Sequence, residues 1–195
     1  MEELKSPLRE KKVLVAACCS TCSCAVLDAL LKAAFHPTVF FYNPNIQPAA
    51  EYEKRKSDTR CYAQKRGVPF VEGEYDTDRW LEATQGLERE PERGRRCSLC
   101  FTLRLEKAAT YARDHGFKVL TSSFALSRWK DYEQVTAAGH EAAGKVPGIA
   151  YWDHNWRKQG GSQRMSEIAK AENFYQQNYC GCIYSLENSR NHTVF

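Results

Sequence analysis

Apolar and polar positions along the chain fall into two alternating kinds of segment. Lys12–Ala17 is a short apolar run whose valines suit a buried strand. Thr38–Tyr42 is a second run, stopped by Asn43-Pro44-Asn45. Val68–Val71 and Phe117–Thr121 read as a third and a fourth, and Val146 with Ile149–Trp152 supplies a fifth. Between these runs the apolar positions recur every three to four residues. Ala25–Phe35 carries Val26, Leu27, Leu30, Leu31 and Ala34 at helical spacing. Pro48 suits the first position of a helix that runs to about Arg66 and stops at Gly67. Asp76 is placed to cap a helix through Trp80 and Leu81. Cys97 to His115 reads as a long helix with Phe101, Leu105, Ala108, Ala109 and Ala112 on one face and Gly116 at its end. Asp131–Ala143 and Ser162–Gln177 complete the helices, while Leu87–Arg96 is charged and reads as a loop or a frayed helix end. Strands alternating with helices predict an α/β fold, a parallel sheet with helices on both faces.

A length of 195 residues gives room for one domain and one sizeable core, with 1–10 and 186–195 as flexible tails. Apolar residues at 43 % and charged residues at 27 % exclude an intrinsically disordered chain. The longest apolar runs, Val13–Cys19 and Thr38–Tyr42, are far short of the roughly 20 residues that cross a bilayer. The N-terminal MEELKSPLREKK has no apolar stretch behind it, so no signal peptide and a cytoplasmic location are expected. The net charge of +4 permits an anionic partner without requiring one.

Nine cysteines change the picture, through their placement more than their number. Cys18, Cys19, Cys22 and Cys24 form a tight cluster between the first strand and the first helix. In open α/β sheets ligands bind at that carboxyl edge, and a helix N-terminus favours the thiolate that metals need. No glycine-rich phosphate loop is present, so thiols stand where nucleotide enzymes place phosphate-binding amides. Cys97 and Cys100, at the start of the long helix, share one helical face. That spacing suits zinc, an iron–sulfur site or a thiol redox pair. Four thiolates from the two clusters fit structural zinc or a [4Fe–4S] cluster equally, and spacing does not separate them. Cys180-Gly181-Cys182 suits a strained, reducible disulfide, further metal ligands or inert thiols. Cys61, in mid-helix, reads as passive.

Other polar positions are less specific. Tyr42, Asn43 and Asn45 end the second strand at the same edge, where asparagine can hold a ligand or simply make the turn. Glu51, Tyr52 and Arg55 share a helical face that reads as solvated. Basic residues gather at Arg89, Arg93, Arg95 and Arg96, and again at Arg157, Lys158 and Arg164 beside Tyr151, Trp152 and Trp156. Arginines with aromatics suit an unpaired nucleic-acid segment, through phosphate contacts and base stacking. The three glutamates in 87–96 make a solvated loop the competing reading there.

Taken in order, these motifs resemble the QueH-type epoxyqueuosine reductases. They are Cys18-Cys19-Ser20-Thr21-Cys22, Tyr42-Asn43-Pro44-Asn45-Ile46 with Glu51-Tyr52, Arg96-Cys97-Ser98-Leu99-Cys100-Phe101, Trp156-Arg157-Lys158, Ser166–Lys170 and Tyr179-Cys180-Gly181-Cys182-Ile183-Tyr184-Ser185. The likeness runs from about Lys11 to Ser185. It departs at Ala16, where the family usually has His, and at Ser20-Thr21, where it usually has Ala-Pro; Cys24 is extra. The resemblance implies a fold similar to the adenine-nucleotide α-hydrolase-like (HUP) class and cobalamin-independent reduction of epoxyqueuosine to queuosine at the tRNA wobble position. It also implies a [4Fe–4S] cluster held by Cys18, Cys19, Cys97 and Cys100, and an additional mononuclear iron served by Cys22. Cys180 and Cys182 match the family's redox pair, and an electron donor that the motifs do not identify completes the reaction. Tyr42, Asn43, Asn45, Arg95, Arg96 and Arg157 are the candidates for contact with the tRNA. A zinc protein that binds RNA and a thiol–disulfide oxidoreductase using Cys97 and Cys100 are the alternatives.

Overall fold

The computed structural model describes residues 4–191. Five strands, β1 (Lys12–Ala16), β2 (His36–Phe41), β3 (Phe70–Glu72), β4 (Val119–Ser122) and β5 (Ala150–Tyr151), form one parallel sheet in the order β3-β2-β1-β4-β5. β1 is central: Val15 pairs with Val39 of β2 on one side and Thr121 of β4 on the other. Covered on both faces, its Val13–Val15 are fully buried, which is why β1 reads as a continuous apolar run and not an alternating one.

The helices are α1 (Ser20–Lys32), α2 (Ala49–Lys65), α3 (Thr77–Thr84), α4 (Arg95–Asp114), α5 (Tyr132–Gly144), α6 (Gly161–Ala171) and α7 (Ile183–Asn191). From β1 the chain steps outward to β2 and later, through β4, outward in the opposite direction. Right-handed crossovers then place α1 and α2 on one face and α4 and α5 on the other. The packing agrees: α1 lies against α2 and α6, and α4 against α5, β1 and β4. The direction reverses between β1 and β4, so their carboxyl ends open the crevice in which such sheets bind ligands.

Several boundaries differ from the sequence reading. α1 starts at Ser20, not Ala25, because the Cys19 sulfur caps it by accepting from the Cys22 amide at 3.4 Å. Asp131 caps α5 through the Gln134 amide, but the Asp76 side chain does not cap α3; it accepts from the Tyr42 hydroxyl instead. α6 ends at Ala171, six residues early, and α7 was not expected. Of the expected tails, 1–3 and 192–195 lie outside the described residues. Within them, Pro7–Arg9 makes a 3-10 turn, Glu10 pairs with Lys118 at 2.8 Å, and 186–191 belong to α7.

Gly139 lets α5 approach β5, and a Cβ there would lie 2.3 Å from the Tyr151 ring, which Ser122 holds by a hydrogen bond. Gly139→Ala is expected to destabilise the protein by about 2 kcal/mol in a urea titration. Asp28 of α1 is buried and joins three elements, pairing with Arg164 of α6 at 2.9 Å, Lys32 at 2.8 Å and Arg66 after α2 at 3.4 Å. Burial alone would raise its carboxyl, but hydrogen bonds and charge from Arg164 and Lys32 outweigh burial and hold it down at about 2. The unfolded carboxyl titrates near about 4. Its contribution is therefore complete above that pH and is lost as pH falls toward 2. Urea midpoints should fall across that window in the wild type, and Asp28→Asn should remove that part of the slope.

Candidate metal centre at the carboxyl edge of the sheet

The end of β1 is fixed before the cysteines begin. The Ala17 amide donates to Phe40 of β2, the Ser123 amide after β4 donates to Ala16, and Asn43 Nδ2 donates to the Ala17 carbonyl at 2.9 Å. Cys18 and Cys19 therefore emerge at the crevice in one conformation, and Cys22 follows on the first turn of α1. The three sulfurs lie within 4.8 Å of one another, all buried, the one such group of metal-ligating side chains among the described residues. Cys18 and Cys19 sulfurs are 3.9 Å apart. Cys24, by contrast, turns to the Thr21 and Met165 carbonyls, toward α6, and Cys61 is exposed.

A second set of sulfurs belongs to α4 and the segment before α7. Cys97, Cys100, Cys180 and Cys182 line one small cavity, closed by Asn45, Trp80 and Arg96. Gly181 stands at φ +127°, with Arg55 and Ile46 both 3.1 Å from where a Cβ would be, so glycine alone fits between the two cysteines. Arg55 Nη1 and Nη2 donate to the Cys180 and Tyr179 carbonyls, and the Gln47 amide donates to Gly181. The Glu51–Tyr52–Arg55 face expected to be solvated is buried, and Arg55 anchors the C-x-C segment through it.

The surroundings are cationic. Lys130, 4 % exposed, places Nζ 3.3 Å from Cys18 Sγ. Burial works against its charge, but Cys18 and Cys180 outweigh burial and raise its pKa, so it stays protonated. Arg104 lies on the Cys97–Cys100 face of α4 and donates to Asn43 Oδ1 and the Tyr42 carbonyl. Hydrogen bonds from Cys19 and Cys22 lower Cys18 well below the ordinary thiol, with Lys130 and Arg104 adding to them against burial. The partners bear the cost: Cys19 is pushed up to about 11 by its bond to Cys18, and Cys22 is raised by Cys18 and Cys19. Burial raises Cys97 to about 11, Cys182 to about 12 and also Cys180. Without metal the triad thus favours one thiolate, at Cys18, beside two protonated thiols, and loading a metal releases protons.

Polar groups without partners point to what the cavity takes. Trp80 Nε1, Arg96 Nε and Nη2, and Asn45 Oδ1 are buried and find no hydrogen-bond partner among the described residues. Three of the four are donors on the wall of a thiol-lined cavity. Such donors suit the electron-rich sulfurs of an iron–sulfur group; the four thiols of the cavity and the buried triad of Cys18, Cys19 and Cys22 are the thiols that could ligate it.

The remaining expected substrate residues divide. Asn43 and Tyr42 are buried and structural, Asn43 through Ala17 and Arg104. Asn45 faces the thiol cavity. Arg95 is exposed, but Arg96 is 1 % exposed and its Nη1 caps the Leu87, Glu88 and Glu90 carbonyls, so it does not face solvent. Arg157 is half-buried and donates to the Ser127 and Lys130 carbonyls. Tyr151, Trp152 and Trp156 are core residues: Trp152 packs on Phe35, and Trp156 Nε1 donates to Thr121. They are not a stacking platform for RNA. Lys130, Arg104 and Arg55 were not singled out as site residues. Only Arg104 had a signal, its spacing of seven and four from Cys97 and Cys100 along one helical face.

Comparison with known proteins identifies the family of this chain. The family described as "Epoxyqueuosine reductase QueH" matches residues 13–188. Curated proteins of that name include one from Haemophilus influenzae, 51 % identical over 188 residues, 96 % of this chain and 77 % of the relative. The Acinetobacter baylyi protein is 50 % identical over 96 % of this chain and 86 % of its own length. The Thermotoga maritima protein is 33 % identical over 91 % and 92 %. The matched region contains every cysteine of the two sulfur sets, and the chain belongs to the epoxyqueuosine reductase QueH family, a family of oxidoreductases.

Proposed function

We propose that this protein reduces epoxyqueuosine to queuosine at the wobble position of tRNA. The observation that carries the reading is the meeting of buried thiols and fixed cations at the crevice between β1 and β4, in a chain matched to the family from residue 13 to 188. The reaction opens the epoxide, removes its oxygen as water and leaves an alkene, consuming two electrons and two protons. Cys18, Cys19, Cys97 and Cys100 would hold a [4Fe–4S] cluster, with Cys22 serving an adjacent iron. When bound, these groups supply single-electron transfer and a Lewis acid for the departing oxygen.

This chain's own residues do the rest. Cys180 and Cys182 store two electrons as a dithiol and release them as a disulfide, matching what the epoxide takes up. Arg55 fixes the segment that carries the pair, through the Tyr179 and Cys180 carbonyls. Lys130 Nζ keeps a proton and a positive charge beside Cys18, where negative charge accumulates. Burial limits water at Cys18, Cys19, Cys22, Cys100 and Cys182. The tRNA offers its base in an anticodon loop, from which it leaves the stack without opening a duplex.

Expression in a bacterium lacking its own epoxyqueuosine reductase tests the proposal. Nucleosides from its tRNA should change from epoxyqueuosine to queuosine. Persistence of epoxyqueuosine with the protein folded and abundant would count against it.

A further inference from the structure

A cavity of about 540 Å³ opens beside the sulfur triad and was not foreseen from the sequence. Its volume falls within the roughly 300–1,000 Å³ of small-molecule sites. A wider depression of about 620 Å³ along α3, α4 and α5 reaches no cysteine and is a poorer candidate. Cys22, buried on the first turn of α1, lines the first cavity beside Thr21. Thr21 Oγ1 is buried there with no hydrogen-bond partner among the described residues. Gln177 lines the same cavity. Trp129 and Phe174 supply aromatic wall, and the exposed Arg128 and Lys170 stand at the same cavity. Arg128 lies 4.6 Å over the Trp129 ring.

This order has a chemical direction: sulfur and unpaired hydrogen-bonding groups inside, an aromatic plate in the wall, positive charge outside. It fits an aromatic heterocycle with its polar edge inward and phosphates at the mouth. We propose that this cavity receives the flipped-out wobble base, with Trp129 stacking on the deazapurine plane, Thr21 and Gln177 meeting its polar groups, and the epoxide-bearing ring directed at Cys22. The inference rests on the function proposed above and assigns the place of the substrate within it.

The tryptophans provide a direct readout. Trp80, Trp152 and Trp156 are 1, 4 and 7 % exposed, while Trp129 is partly open to solvent, so acrylamide quenching reports mainly on Trp129. Protein purified without oxygen would be mixed with two anticodon stem-loops, one carrying epoxyqueuosine and one abasic at the wobble position. The modified stem-loop should shield Trp129, and the abasic one should bind through its phosphates and leave quenching as in the free protein. Trp129→Ala should weaken the modified stem-loop about tenfold, the usual scale for one stacked base, and leave the abasic one unchanged. Equal shielding by both, or a variant that weakens both alike or neither, would overturn the assignment. The shielding comparison uses wild-type protein and stands if the variant does not fold. Conversion of the modified stem-loop with Trp129 still quenched refutes the pocket alone; absence of conversion refutes the proposed function.

Discussion

Cys18→Ala protein, purified without oxygen, is expected to lose nearly all the iron and sulfide that the wild type carries. Cys18 is where the site's charges converge. Lys130 Nζ lies 3.3 Å from its sulfur, Cys19 shares its proton, and it is the one thiol of the triad held below the ordinary range. Removing it leaves the buried Lys130 cation without the sulfur its Nζ donates to, and takes away the thiolate that starts metal capture. The loss of metal should exceed the roughly tenfold drop in affinity that follows removal of an outer-shell partner. Lys130→Met is the companion variant: it keeps every thiol, so a partial loss of iron is expected. Iron and sulfide analysis with the visible spectrum reads both. Zinc in place of iron, with no absorption in the visible, would return the site to the structural-zinc alternative.

The Cys180→Ala, Cys182→Ala double variant should keep its iron and its affinity for tRNA while turnover falls to background. Four thiolates complete a cubane without this pair. Gly181 brings the two cysteines close, and Arg55 and the Gln47 amide hold the three carbonyls from Tyr179 to Gly181. Such a short ring is strained and readily reduced, the property a two-electron carrier needs. Loss of iron in the double variant would make these residues ligands. Unchanged turnover would leave them with a structural role.

Much of this site was readable as residues and little of it as neighbours. The alternation of β1, α1 and β2 follows from apolar spacing, and the crevice follows from strand order. The start of α1 did not, because Ser20–Cys24 carries no apolar period; a cysteine sulfur, not a serine or aspartate, makes the cap. α7 was missed because Ile183–Asn191 has only Ile183, Tyr184 and Leu186 as apolar positions. Basic and aromatic residues misled for one reason. A charge or ring in sequence does not say whether it ends in solvent. Arg96 is spent on three loop carbonyls, Arg157 on two more, and Trp152 and Trp156 fill the end of the core. Arg55 is the converse case, a charge on a seemingly polar helix that is buried to hold the C-x-C segment. Lys130 stands in the irregular stretch after β4, where no periodicity points to an inward direction.

Removal of the epoxide oxygen by this chain itself is read by incubating purified, iron-loaded protein and a chemical reductant, without oxygen, with tRNA carrying epoxyqueuosine, and then weighing the released nucleosides. Epoxyqueuosine should be replaced by a nucleoside lighter by one oxygen atom, queuosine, and omitting the reductant should stop conversion after the electrons stored in the protein are used. An unchanged nucleoside, from protein that holds its iron and binds the tRNA, would contradict it.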